Sequence, residues 1–341
     1  MKKVLFRADA NSKIGVGHVM RCVALAQYLA SQNVLVRFLT VTDSERLSQY
    51  LSSQKFETRV INSTPKNDEN VQIILKELRQ GFDWVILDSY DFGENHHRKI
   101  SEANIRLLVL EDNPPYSQCA DLVLNHALQD NEESSDSRFL FGTHYALIRQ
   151  ELIQAEKRGE KGQQNIIITL GGAAFPDLYK KIIRSIGLIT EFKLKIKLLH
   201  GFSIDSEVVP IDFADHQIEY CEPTPDVGSI FNWADLSISA AGGTSWELCF
   251  FGVVGIVGLV ADNQVQIARN LDRKGIFKSV GSYQDCSEQK LADELKRLLS
   301  NPALVKSMRS KARELVDGKG PERIFQAMQN RERLKMSVQR P

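Results

Sequence analysis

The amino-acid sequence predicts an α/β fold with two Rossmann-like domains, each built around a parallel β-sheet. Short apolar segments alternate with amphipathic segments along almost all of the 341 residues, as they do in βαβ units. A polar, charge-rich stretch at residues 154–164 interrupts this alternation, and three glycine-rich turns follow strand-like segments. Together these observations predict two domains with a ligand-binding cleft between them.

Composition and charge are typical of a globular protein with full hydrophobic cores. Lys and Arg total 43, as do Asp and Glu, so no excess of positive charge attracts nucleic acid or anionic lipid. Five scattered cysteines indicate a reduced protein without a structural zinc site. No signal peptide or bilayer-length apolar run is recognised. We therefore expect a cytoplasmic protein with no nucleic-acid or membrane partner, whose oligomeric state the sequence leaves open.

Residues 1–153 are predicted to form the N-terminal domain, followed by a linker at 154–164. Its strand candidates are short and apolar, as strands buried on both faces are. They lie at 4–6, 34–39, 58–61, 84–87, 107–110 and 122–124. The first helix is predicted from an apolar stripe at i, i+3, i+4, i+7 spacing. This stripe comprises Val19, Cys22, Val23, Ala26 and Ala30.

Residues 165–320 are predicted to form the C-terminal domain. Its strand candidates lie at 166–170, 194–199, 218–221, 236–238, 253–257 and 276–280. Its predicted helices span 176–189, 226–233, 245–250, 264–273, 287–299 and 302–316. Residues 321–341 form a last helix and tail with no strand after them, so this segment can cross back to the first domain.

Three strand-to-helix turns contain the glycines of the predicted ligand site. They read Ile14-Gly-Val-Gly-His18, Thr169-Leu-Gly-Gly172 and Ala240-Ala-Gly-Gly-Thr-Ser-Trp-Glu247. Glycine lets backbone N–H groups approach an anion, and a helix N-terminus adds a favourable dipole. The set indicates a diphosphate in the cleft, although any one such turn can need glycine for its geometry alone.

His18 is the candidate general base, because imidazole has an unperturbed pKa of about 6.5. A cation at a helix N-terminus is disfavoured, which favours the neutral form that a base needs. The alternative is a histidine that only caps the helix or lies in a cleft wall. Glu247 also has two interpretations, a ligand of ribose hydroxyls or the second member of a Thr244-x-x-Glu capping box.

No metal site is predicted. His96 and His97 are adjacent in sequence, and neighbouring residues on a helix point in different directions. We therefore expect both to lie at the surface. No HExxH sequence is present, and Asp88-Ser-Tyr-Asp91 has the wrong spacing for a metal–nucleotide D-x-D motif.

These motifs together resemble the family of UDP-2,4-diacetamido-2,4,6-trideoxy-β-L-altropyranose hydrolases of pseudaminic acid biosynthesis. The resemblance extends over nearly the whole chain, and its glycine-rich motifs are shared with MurG-like glycosyltransferases. It rests on Ile14-Gly-Val-Gly-His-Val-Met-Arg-Cys22, Leu87-Asp-Ser-Tyr90, Phe141-Gly-Thr-His-Tyr-Ala-Leu-Ile-Arg149, Leu170-Gly-Gly172, Ala241-Gly-Gly-Thr-Ser-Trp-Glu247, Ala261-Asp-Asn-Gln264 and Val316-Asp-Gly-Lys-Gly-Pro-Glu-Arg323.

The resemblance implies a GT-B fold, with the nucleotide mainly on the second domain and the sugar facing the first. It implies that His18 activates water for inverting attack at the anomeric carbon, with neither metal nor cofactor. The implied sugar-side and loop residues are Gly15, Gly17, Tyr90, Asn263 and Gln264. The implied nucleotide-binding residues are Gly171, Gly172, Gly242, Gly243, Thr244 and Glu247, with Glu247 at the ribose.

Two alternatives to this hydrolase remain open. A glycosyltransferase would pass a UDP-amino sugar to an acceptor, and a non-catalytic protein would only bind the nucleotide sugar. The resemblance also implies a product used in flagellin glycosylation or a surface polysaccharide. The sequence does not decide between those destinations.

Overall fold

A computed structural model of the chain describes residues 1–11, 15–54, 56–61, 67–127, 136–155, 162–172, 175–199, 216–222, 224 and 226–338. Within these ranges, no helix has both the length and the apolar character needed to cross a membrane. Of the predicted linker at 154–164, residues 156–161 lie outside the described part of the chain.

The first domain is built around a seven-stranded parallel sheet. Its strands are β1 (Lys3–Ala8), β2 (Leu35–Thr40), β3 (Glu57–Val60), β4 (Trp84–Asp88), β5 (Arg106–Leu110), β6 (Leu122–Asn125) and β7 (Phe139–Phe141). Their order is β3-β2-β1-β4-β5-β6-β7. The six predicted strands are confirmed. The sequence analysis missed β7, because three residues are too few to show a periodic pattern.

Five helices of the first domain are described beside this sheet. They are α1 (Gly17–Ser31), α2 (Glu45–Ser53), α3 (Asn67–Leu78), α4 (Glu94–Ser101) and α5 (Gln150–Gln154). The predicted stripe on α1 is buried at Val19, Cys22, Val23 and Ala26, and Ala30 packs against the same core. Because α1 begins directly after the first glycine-rich turn, this packing fixes where His18 lies.

The second domain repeats the arrangement with a six-stranded parallel sheet. Its strands are β8 (Asn165–Thr169), β9 (Lys195–Leu199), β10 (Gln217–Cys221), β11 (Leu236–Ala240), β12 (Val254–Leu259) and β13 (Lys278–Ser282). Its helices are α6 (Pro176–Gly187), α7 (Val227–Trp233), α8 (Thr244–Phe251), α9 (Val265–Arg273), α10 (Glu288–Leu299) and α11 (Pro302–Leu315). The strand and helix predictions for this half of the chain are confirmed to within a few residues.

In both sheets, the order in which successive strands are added reverses at the corresponding point. The second sheet is ordered β10-β9-β8-β11-β12-β13, so β8 and β11 are neighbours as β1 and β4 are. Open parallel sheets bind ligands outside the carboxyl ends of the strands at such a switch point. The turns after β1, β4, β8 and β11 therefore lie where a ligand is expected to bind,.

The last helix, α12 (Gly320–Val338), follows the second domain in sequence but packs on the first. Ile324 and Met328 are fully buried in a core formed with α1 and the first sheet. Glu332 accepts hydrogen bonds from the N-terminal amine, at 2.9 Å, and from Trp84 Nε1, at 3.2 Å. The chain thus leaves the first domain and later returns to it.

The docking of α12 can be tested by truncating its buried side chain. Removing most of a fully buried methionine costs about 2–5 kcal/mol, so Met328→Ala should lower the midpoint of urea unfolding of the first domain. Asn330 lies on the same helix and is exposed, so Asn330→Ala should change stability by less than about 0.5 kcal/mol. Equal effects of the two variants would contradict the packing described.

Candidate functional site

A cleft of about 810 Å³ lies between the two domains, at the carboxyl ends of their strands. Both domains contribute to its walls. All of the predicted site residues line this cleft, namely Gly15, Gly17, His18, Tyr90, Gly171, Gly172, Gly242, Gly243, Thr244, Glu247, Asn263 and Gln264. The fold thus brings together residues that are up to 249 positions apart in sequence, from Gly15 to Gln264.

The first two glycine-rich turns contact each other across the cleft. Gly15 and Gly171 have φ angles of 72° and 89°, in the left-handed region that favours glycine. A Cβ atom on Gly172 would lie 2.7 Å from the backbone nitrogen of Val16. The two domains can therefore approach this closely only because residue 172 has no side chain.

His18 lies in the first turn of α1, and its side chain is 11% exposed. Its Nδ1 is 2.6 Å from Oδ1 of Asp88, a buried carboxylate at the end of β4. An ionised carboxylate only accepts hydrogen bonds, so this contact places a proton on Nδ1. Neutral His18 then has Nε2 unprotonated, and no described residue forms a hydrogen bond with that atom.

Arg21, one helical turn after His18, lies between two carboxylates. It donates to Asp88 through Nε at 2.6 Å and Nη2 at 2.7 Å, and to Asp112 through Nη1 at 2.7 Å. Burial alone would raise the pKa of Asp88, but the positive charge of Arg21 and the hydrogen bonds from Arg21 and His18 lower it below its ordinary value. Arg21 also lowers the pKa of Asp112 well below its usual range, against the effect of burial. Both carboxylates therefore remain ionised at neutral pH.

Tyr90 connects this charged cluster to the second domain. Its hydroxyl donates to Oδ2 of Asp112 at 2.6 Å and accepts from Nδ2 of Asn263 at 3.0 Å. Its ring packs edge-on against the imidazole of His18, with 4.8 Å between the ring centroids. Two predicted substrate-binding residues, one on the sugar side and one in the Ala261–Gln264 loop, therefore bridge the two domains beside the candidate base.

Glu247 forms an ion pair between the domains rather than a helix cap. Arg149 Nε donates to its Oε1 at 2.9 Å. Helix α8 begins at Thr244, and its N-cap residue Gly243 provides no side-chain cap. The capping-box interpretation is therefore wrong, because Thr244 already lies inside the helix. Gln264 bonds within its own loop, since its Oε1 accepts from the backbone nitrogen of Val260 at 3.1 Å.

His126 is a further histidine of the cleft, directly after β6. It is 5% exposed, and its Nδ1 is buried without a hydrogen-bond partner in the described part of the chain. Burial and then the positive charge of Arg21 lower the pKa of this imidazole to about 4. His126 is therefore a neutral polar group at neutral pH.

One surface prediction is wrong. His97 is buried, whereas His96 is partly exposed and accepts a hydrogen bond from the backbone nitrogen of Gly93. Helix α4 turns His97 inward, where its Nδ1 lies 3.9 Å from a carboxylate oxygen of Glu111. Within the described residues, no group of three or more His, Cys, Asp or Glu side chains could hold a metal ion.

Comparison with known proteins identifies the fold. Residues 165–323 match the glycosyltransferase family 28 C-terminal domain. The whole chain is similar to a solved structure of MurG from Acinetobacter baumannii, with a TM-score of 0.67, 19% identity and coverage of 97% of this chain and 100% of the other. The calicheamicin glycosyltransferase CalG4 gives a TM-score of 0.64 at 15% identity, covering 97% and 98%. The fold is GT-B.

Two curated relatives are similar in sequence at low identity. The spore coat polysaccharide biosynthesis protein SpsG of Bacillus subtilis is 26% identical over 336 residues, which cover 95% of this chain and 96% of the relative. The UDP-2,4-diacetamido-2,4,6-trideoxy-beta-L-altropyranose hydrolase of Campylobacter jejuni is 27% identical over 189 residues, 53% and 64% of the two chains.

The sequence analysis missed five polar residues that line or support the GT-B cleft. They are Arg21, Asp88, Asp112, His126 and Arg149. Asp88, Asp112 and His126 could have been found by one signal, because each is a polar residue at or just after the end of a buried strand. Arg21 and Arg149 lie within the quoted motifs, but neither follows a strand end, and their carboxylate partners are distant in sequence.

The electrostatics of the GT-B cleft can be tested at His126. The chain has 7 histidines, and NMR titration should show one that stays neutral down to about pH 4. The signal should be absent from His126→Gln. Because an unfolded histidine titrates near pH 6.5, the unfolded chain takes up the proton first as the pH falls.

The wild type should therefore lose stability between about pH 6.5 and pH 4 through this residue,. In His126→Gln, this part of the decrease in stability with falling pH should be missing. Titration of His126 near pH 6.5 would contradict the burial and charge described for this site.

Proposed function

We propose that the protein is a UDP-sugar hydrolase, which cleaves the bond between the anomeric carbon and UDP with water. The observation that carries the proposal is the His18–Asp88 pair, which lies in a GT-B cleft beside three glycine-rich turns. The proposed substrate is UDP-2,4-diacetamido-2,4,6-trideoxy-β-L-altropyranose. The similarity to the Campylobacter jejuni hydrolase of that name supports this choice.

In the proposed reaction, His18 Nε2 takes a proton from the attacking water. Asp88 holds the ring through Nδ1 and stabilises the imidazolium that forms, as an orienting carboxylate does in other enzymes. Arg21 keeps Asp88 ionised for this role. General-base assistance of this kind supplies about 10²–10⁴-fold in rate.

The glycine-rich turns of the second domain are proposed to bind the leaving diphosphate. Gly171 and Gly172 follow β8, while Gly242 and Gly243 precede the N-terminus of α8. Backbone N–H groups and the dipole at a helix N-terminus stabilise negative charge. A phosphate with a second pKa of about 6 is a weakly basic leaving group. A dedicated general acid is then less necessary.

Glu247 is proposed to bind the ribose hydroxyls. Its Oε1 is occupied by Arg149, so the ion pair fixes the carboxylate while Oε2 accepts from the ligand. Thr244, at the start of the same helix, lines the second-domain wall of the cleft. The nucleotide would therefore be contacted mainly by the second domain. The Glu247 carboxylate that binds it would be held by Arg149 of the first domain.

The bridge between Tyr90 and Asn263 favours water over a bulky acceptor. It spans the cleft beside His18, where an acceptor sugar or lipid would have to enter. A glycosyltransferase that uses a UDP-amino sugar is the second candidate, and the family 28 match supports it. A protein that only binds nucleotide sugars would not need the His18–Asp88 pair.

The base can be tested with two substitutions and a matched control. His18→Asn and Asp88→Asn should each lower kcat by about 10²–10⁴-fold with little change in KM, because the pair acts in the transition state. Asp91→Asn changes an exposed acid in the same loop and should leave kcat within about twofold of wild type. Steady-state UDP release measures all three, and an unchanged kcat in His18→Asn would remove His18 from the reaction.

The reaction class can be tested by following the products without any added acceptor. Incubation with the proposed substrate should release UDP and the free sugar at equal rates. Early NMR spectra should show the anomer of opposite configuration to the substrate, because water attacks opposite to UDP. UDP release that begins only after an acceptor is supplied would instead identify a glycosyltransferase.

A further inference from the structure

His126 has features that the proposed chemistry does not use. It lines the first-domain wall of the cleft, yet its buried Nδ1 forms no hydrogen bond with the described residues. Buried polar atoms in native proteins nearly always have a partner, and an unmet one lowers stability. This nitrogen is closed off from the cleft, so a ligand would meet the imidazole only at the part of the ring that lines the cleft, and that contact would offset the cost of the unmet atom.

The backbone on both sides of His126 is held in place by Asn125. The Asn125 side chain donates to the carbonyl oxygen of Asp112 at 3.0 Å and to the hydroxyl of Tyr116 at 3.2 Å. Its own Oδ1 accepts from the backbone nitrogen of Ala127 at 2.9 Å. The loop after β5 is thereby fixed beside His126, so the imidazole is positioned before any ligand arrives.

Charge limits what this imidazole can bind. Burial and Arg21 keep it neutral at physiological pH, so one ring nitrogen donates a hydrogen bond and the other accepts one. It therefore offers no positive charge to a carboxylate or a phosphate. A neutral group that itself has a donor or an acceptor is the better match.

The neighbouring wall indicates which neutral group fits. Pro114, Tyr116 and Ala127 line the same cleft as His126 and present apolar or aromatic surface. An amide that carries a methyl group has polar atoms for the imidazole and an apolar end for this surface. A hydroxyl group could form a hydrogen bond with the imidazole but would not cover the apolar surface.

We propose that His126 is a specificity-determining residue that binds an N-acyl amide substituent of the sugar. The inference rests on the proposed function, because it assumes that the ligand is a UDP-sugar whose sugar faces the first domain. His126 does not touch the reacting atoms in this assignment. It contributes to the choice of sugar and to KM.

The assignment makes opposite predictions for stability and for binding. His126→Phe keeps a ring of similar size but removes the unsatisfied nitrogen, so the unliganded protein should unfold at a higher temperature. The same variant should bind the acylated sugar more weakly. His126→Gln retains a neutral donor and acceptor and should keep part of the preference. A purely structural histidine would instead lose stability in both variants, with the ligand preference unchanged.

Calorimetric titration tests the binding side in a His18→Asn background, where turnover does not interfere. The probes are UDP, the diacetamido substrate and two analogues in which a hydroxyl replaces one acetamido group. With His126 present, one analogue should bind about 10-fold more weakly than the substrate, the value of about one hydrogen bond with its packing. In His126→Phe this ratio should fall close to 1, while the affinity for UDP alone stays unchanged.

The outcomes separate the two proposals. If UDP and the UDP-sugars bind but neither ratio changes in His126→Phe, the assignment of His126 is wrong and the proposed function stands. If the ratio falls for one analogue, that acetamido group is the one His126 contacts. If the protein binds neither UDP nor any UDP-sugar, the proposed function fails and the assignment fails with it.

Discussion

The candidate site depends on one buried carboxylate, Asp88. An isolated charge at the end of β4 would be costly to bury, and here Arg21 offsets that cost with two hydrogen bonds. Oδ1 of the same carboxylate also accepts a hydrogen bond from Nδ1 of His18 and so orients the ring. Arg21 in turn needs Asp112 to complete its own hydrogen bonding, and Asp112 positions Tyr90. The orientation of the imidazole therefore follows from a connected set of charges rather than from the glycine-rich turn alone.

The same cluster makes the two domains dependent on each other. Asn263, from the second domain, donates a hydrogen bond to Tyr90, and Arg149, at the end of the first, donates one to Glu247. The glycine contact between residues 172 and 16 allows both bridges to form at once. A ligand spanning the cleft would meet side chains whose positions already depend on both domains. This arrangement reduces the ordering needed when the ligand binds.

Most of the fold could be predicted from the sequence because its signals are local. Apolar runs marked the strands, glycines marked the turns, and the stripe on α1 marked its buried face. The site could be predicted only in part. His18 and Tyr90 lie in recognisable motifs, but the partner of Glu247 is 98 residues away and the orphan nitrogen of His126 becomes visible only once β5 and β6 pack together. Pairings between distant charges are set by tertiary structure, which no local pattern encodes.

The return of α12 has a consequence for how the two domains are joined. The chain passes from the first domain to the second between Gln154 and Asn165, and passes back between Leu315 and Gly320. Topologically, the second domain is an insertion whose two ends are both anchored in the first. Because the chain crosses twice, two covalent connections join the domains, so cleavage of either one would leave the second domain tethered to the first by the other.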